Sequence, residues 1–163
     1  MKFKSIIIML VLFQLTAAQY QMPAVTDLST DTEVRFIVFG DSQFGNPQQF
    51  ERMVYEANLL NPHFVIQVGD LINGYTNDKE QLIYEWKWFL NQISPLDMPF
   101  YPVPGNHDIV TDESEEVYAE IWGENRYHYA FDYGAVHCIS LNSWHGDADD
   151  QIEDWQYNWL QKD

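Results

Sequence analysis

Phe100-Tyr101-Pro102-Val103-Pro104-Gly105-Asn106-His107-Asp108 is an apolar run that stops at a glycine and then offers an amide, an imidazole and a carboxylate. The run reads as a β-strand, and in an open α/β sheet ligands sit beyond the carboxyl ends of the strands. Two earlier stretches repeat the arrangement. Phe36-Ile37-Val38-Phe39 runs into Gly40-Asp41-Ser42-Gln43, and Phe64-Val65-Ile66-Gln67-Val68 runs into Gly69-Asp70. Three apolar strands, each ending in glycine and a hard-oxygen donor, point to a metal site at one end of a parallel sheet.

The segments between these strands have helical spacing. Asn46 as N-cap and Pro47 at the first position open a helix with Phe50, Met53, Val54, Ala57 and Leu60 on its inner face, stopped by Asn61-Pro62. A second helix is expected from about Asp78 to Ile93, with Leu82, Ile83, Trp86, Phe89, Leu90 and Ile93 as its buried stripe. The order strand–helix–strand–helix–strand implies parallel pairing with right-handed crossovers. Beyond Asp108, Ser114 is read as the cap of a short helix that Gly123 closes. Residues 126–131 and 135–141 read as a hairpin around Asp132-Tyr133-Gly134. A last helix is expected from about Asp150 to Lys162, with Ile152, Trp155 and Trp159 on one face.

The chain has 163 residues, 46% of them hydrophobic, enough for one folded domain with a core. Its formal charge of −17 excludes a basic nucleic-acid footprint and repels anionic substrates at long range. A phosphate ester would therefore need bound cations to reverse the local sign. The single cysteine, Cys138, excludes an intramolecular disulfide and reads as a small buried residue.

The three strand-end motifs resemble those of the calcineurin-like metallophosphoesterases. That family pairs an Asp-x-His, a Gly-Asp and a Gly-Asn-His-(Asp/Glu) with a later lone His and a Gly-His-x-His. Asp41, Gly69-Asp70 and Gly105-Asn106-His107-Asp108 match the first three, with Gln43 where most members carry His. The resemblance runs from about Val34 to the end of the sequence, and no Gly-His-x-His occurs in it. It implies an α/β fold: a β-sandwich flanked by helices, present here as the N-terminal βαβαβ half plus a hairpin and a last helix. It also implies a dinuclear centre of divalent Mn, Fe or Zn ions acting on phosphate esters. Asp70 would bridge the ions, Asp41 and Gln43 would serve the first, and Asn106 the second. His107 would donate a proton to the leaving oxygen. The purple acid phosphatases place a tyrosine ligand three residues after the bridging Asp; that position is Asn73 here, and the nearest tyrosine is Tyr75.

Outside this set, Asp108 reads as a supporting carboxylate or a substrate contact, and His145 as a substrate contact leaving the hairpin. His63, His128 and His137 read as structural. Residues 1–18 have the form of a signal peptide, with Lys2 and Lys4 before an apolar stretch and small residues at its end. The expectation is an exported chain with no spanning helix after cleavage, a linker over residues 19–33 and a phosphoesterase domain over 34–163. The function expected is hydrolysis of phosphoric esters, phosphatase or phosphodiesterase. The other reading is a truncated or degenerate relative that binds metal weakly or a partner. The missing downstream histidines set a further expectation for this stretch alone: no activity, at most one weakly held metal, and self-association.

Overall fold

The structure, a computed structural model, describes residues 33–44, 46–144 and 151–163. The expectations for residues 1–18, for the linker up to residue 32 and for His145 lie outside the described residues. Three parallel strands, β1 (Phe36–Phe39), β2 (Phe64–Val68) and β3 (Phe100–Val103), lie in the order β1-β2-β3. Phe36 pairs with Phe64, and Val65 with Phe100. The crossovers are helices α1 (Pro47–Leu60) and α2 (Lys79–Ile93), and a third helix, α3 (Asp112–Trp122), follows β3.

One face of the sheet carries the three helices. Phe39, Val65 and Phe100 meet Phe50 and Val54 of α1, Trp86 and Phe89 of α2, and Val117 and Trp122 of α3 in one buried cluster. Trp86 packs edge-on against Phe89, Tyr118 and Trp122, so aromatic contacts tie α2 to α3. Met53 and Leu60 are exposed, contrary to the expected inner face, because they flank the stripe that Phe50, Val54 and Ala57 bury. The caps are side-chain oxygens. Asn46 accepts from the Gln48 amide, and Asp78 from those of Glu80 and Gln81. For α3 the cap is Thr111 rather than Ser114. Ser114 is the third helical residue and completes a reciprocal pair with Thr111.

The other face carries a two-stranded antiparallel sheet, β4 (Tyr129–Tyr133) and β5 (Val136–Ser140). Phe131 stacks flat on Tyr101 at 3.8 Å between ring centres, and its edge meets Phe64. Thus β2 and β3 lie between helices and a second sheet, an α/β arrangement with the beginnings of a sandwich. Phe36, Val38 and Val68 on that face stay about half exposed, at 47%, 50% and 51%. The hairpin starts later than expected because Glu124–Arg126 form a 3₁₀ turn. Its turn is Gly134-Ala135, with Gly134 at φ 57°. The last helix, α4 (Asp154–Leu160), buries Gln156 and not Ile152 or Trp155. Gln156 spans Asn142, accepting from its amide at 2.9 Å and donating to its carbonyl at 2.6 Å. Trp155 and Trp159 instead hold the His128 ring between them, at 4.7 and 4.8 Å.

Candidate metal centre

The strand ends become a site through tight backbone turns. Asp41 and Asp70 both take left-handed φ, 52° and 56°, just past the ends of β1 and β2. Asp tolerates that conformation better than most residues. Gly69, at φ 77°, pairs on toward β3 through its amide and the Val103 carbonyl, 2.9 Å apart. A Cβ at Gly105 would stand 2.3 Å from Asp70 Oδ1 and 2.9 Å from the Gly69 Cα. Only glycine at 105 lets the two loops touch, and that contact sets Asp70 beside Asn106 and His107.

The hydrogen bonds aim these groups. Gln43 Nε2 donates to Asp70 Oδ2 at 2.9 Å, and the His107 amide to Asp70 Oδ1 at 3.3 Å. The Gln43 Oε1 atom is buried and has no hydrogen-bond partner. Asp108 is fully buried and accepts three backbone N–H bonds, from Leu71 and Ile72 on Oδ1 and from Gly105 on Oδ2, at 2.8–3.1 Å. Through these bonds it anchors the loop after β2 to the loop after β3. Burial pushes its carboxyl up to about 7, against the three amides that favour the charged form, and the nearby Asp70 charge adds to the rise. His107 places Nδ1 2.5 Å from the Asn73 carbonyl, and the Tyr75 ring meets its imidazole at 4.6 Å.

Asp41, Asp70 and Asn106 line one cleft of about 290 Å³, with Val68, Val103, Leu141 and Trp144 as its apolar walls. Of the expected ligands, Gln43 reaches this group through its bond to Asp70. Among the described residues no three His, Cys, Asp or Glu side chains gather to hold a metal. No lysine or arginine of the described residues pairs with Asp41 or Asp70. What is present is two carboxylates and two amides, one with an orphaned buried oxygen. That chemistry fits a hard divalent cation such as Mn²⁺ or Mg²⁺ better than a soft one. Tyr75, Asn73 and Glu85 are the neighbours that sequence spacing did not single out as site residues. The only signal was the Asn73-Gly74-Tyr75 run on the ligand side of the sheet.

Among the described residues, the other histidines have structural partners. His63 Nδ1 accepts from the Arg35 amide at 2.9 Å, and His137 bonds Asp132 and Asp163, each at 2.7 Å.

A family model described as calcineurin-like phosphoesterase matches residues 34–162. A protein of Arcobacter nitrofigilis named "Probable glycerophosphodiester phosphodiesterase" is 36% identical over 67 residues, 41% of this chain and 22% of its own length. A Moraxella catarrhalis protein named "Probable cyclic nucleotide phosphodiesterase" is 27% identical over 122 residues, 69% of this chain and 42% of its own. The chain thus spans less than half the length of these curated relatives. The solved structure of a purple acid phosphatase from yellow lupin (Lupinus luteus) seeds superposes with a TM-score of 0.56 at 20% identity, over 79% of this chain and 27% of that one. It shares the fold.

Proposed function

The chain belongs to the calcineurin-like phosphoesterase family, and from that premise we propose that it is a metal-dependent hydrolase of phosphoric esters with Asp41, Gln43, Asp70 and Asn106 as its metal ligands. The observation that carries this reading is the convergence of Asp41, Asp70 and Asn106 from three separate strand ends on one cleft. The finer proposal is a pair of divalent cations, which Asp41, Gln43, Asp70 and Asn106 would hold, with Asp70 shared between them; bound, they would supply charge neutralisation at the phosphoryl oxygens and activation of water at neutral pH.

The protein's own groups do the rest. Gln43 and the His107 amide hold the two Asp70 oxygens in place. The Asn73 carbonyl meets the Nδ1 side of His107 and sets the ring's orientation, and Nε2 is the nitrogen proposed to carry a proton to the leaving oxygen. Both relatives carry the name of a phosphodiesterase, so diesters are the proposed substrate class. Residues 1–18 are proposed to direct export. N-terminal sequencing of exported protein starting after Ala18 would support this, and a chain still starting at Met1 would contradict it. The lack of an imidazole among the four ligands favours a second reading, a weak metal- or partner-binding relative without turnover.

Hydrolysis of bis(p-nitrophenyl) phosphate by the natural full-length protein, with Mn²⁺ and with chelator, separates the two. Turnover that needs the metal and is lost in Asp70→Asn supports the enzyme. Mn²⁺ binding without turnover supports the second reading.

A further inference from the structure

The loop after β2 meets the loop after β3 at every residue from Leu71 to Tyr75. The Leu71 and Ile72 amides bond Asp108 Oδ1, and the Asn73 carbonyl meets His107 Nδ1. Gly74 runs so close that a Cβ would stand 1.7 Å from the His107 carbonyl oxygen. The Tyr75 hydroxyl accepts from Asn106 Nδ2 at 2.7 Å, and the Tyr75 ring meets His107 edge to face. Asp108 supports only the first two of these residues. The last contact falls on the two groups proposed to ligate metal and to carry a proton.

We propose that Tyr75 is a positioning residue for this centre: its hydroxyl turns the Asn106 amide oxygen toward the cleft, and its ring fixes the His107 imidazole. The inference rests on the phosphoesterase reading and adds a residue that the motifs do not contain. An amide has two ends, and only the oxygen ligates a cation. Asn106 lines the cleft, and its nitrogen is spent on Tyr75, so the oxygen is the end left for a metal. The backbone at Tyr75 has φ 53° after Gly74 at φ 54°. A bulky residue in that conformation is strained and persists only where its surroundings impose it. Here α2 imposes it. Glu85 Oε2 accepts the Gly74 amide at 2.9 Å, and Glu85 Oε1 is held by Gln81 at 2.9 Å. Tyr75 is itself 55% exposed and absent from both cores, so the fold does not require its ring.

The test uses the full-length protein. Tyr75→Phe keeps the ring and removes the hydroxyl, and the Mn²⁺ dissociation constant measured by calorimetry is expected to rise about 10–100-fold, as for other residues that orient a metal ligand. Adding Asn106→Asp restores Mn²⁺ binding, because a carboxylate presents oxygen at both ends. Tyr75→Ala also lowers kcat at saturating Mn²⁺, and in the metal-free protein it moves the NMR signals of the His107 ring protons, which Tyr75→Phe leaves in place. Wild-type Mn²⁺ affinity in Tyr75→Phe, or no recovery on adding Asn106→Asp, overturns the inference. Unmoved His107 signals in Tyr75→Ala overturn it with or without metal. A wild-type protein that neither binds Mn²⁺ nor turns over diester defeats the phosphoesterase reading itself, and the Mn²⁺-orienting role falls with it.

Discussion

A Cβ at position 105 would meet Asp70 Oδ1 at 2.3 Å and the Asp70 amide at 2.5 Å, both inside van der Waals contact. Gly105→Ala must therefore push Asp70 out of place. The expected cost is about 1–3 kcal/mol, as for other overpacked sites, together with loss of Mn²⁺ binding; urea unfolding and calorimetry measure the two. Asp108 offers a second check. Asp108→Asn replaces an acceptor oxygen with an N–H₂ group facing backbone donors, and at least one buried amide loses its partner. About 1–3 kcal/mol is expected to be lost in urea unfolding, and an unchanged midpoint would remove the anchoring role. Asp41, Asp70 and Asn106 were legible as cleft residues because each follows a strand and then a glycine at the ligand end of the sheet. Asp108 left two roles open because a carboxylate beside a motif reads alike whether it faces substrate or backbone. The contacts of Tyr75 were not legible. They join positions 31 and 32 residues apart through a left-handed backbone, which no spacing rule registers.

Among the elements, β1, α1, β2, α2 and β3 fall within a residue or two of their expected bounds, because Asn46, Pro47, Asp78 and the glycines mark the ends chemically. Asp78→Ala, which removes an oxygen accepting two amides, is expected to cost about 1 kcal/mol in urea unfolding. The later elements were less legible. Thr111 and Ser114 are both capping residues, and only the closed pair of bonds shows that Thr111 stands outside α3. In α4 a polar residue, Gln156, faces inward because the Asn142 backbone offers it both a donor and an acceptor, while the tryptophans turn to His128. The hairpin carries a pH dependence of its own. Hydrogen bonds from His137 to Asp132 and Asp163 hold its imidazolium above the ordinary value of 6.5. A raised value means the folded chain binds the proton more tightly. This stabilisation is present in full below about 6.5 and fades as pH rises through the folded value. Thermal unfolding of wild type and His137→Gln across pH 5–8 should diverge at the acid end and converge at the alkaline end; parallel curves would contradict the pairing.

The molecule carries a formal charge of −17, which draws cations toward a cleft with two carboxylates and no paired base. Phe36, Val38 and Val68 leave a half-exposed apolar row on the face that β4 and β5 only partly cover. The 163-residue stretch expressed alone is expected to self-associate, and light scattering that shows a monomer at micromolar concentration would count against that row as a sticky surface. The metal centre itself is tested most directly by anomalous diffraction from crystals of the full-length protein grown in Mn²⁺. A peak about 2.0–2.4 Å from oxygens of Asp41 and Asp70, absent in Asp70→Asn, is the expected result. A map with no peak in that cleft, or with Mn²⁺ bound only elsewhere, would contradict a phosphoesterase centre at these strand ends.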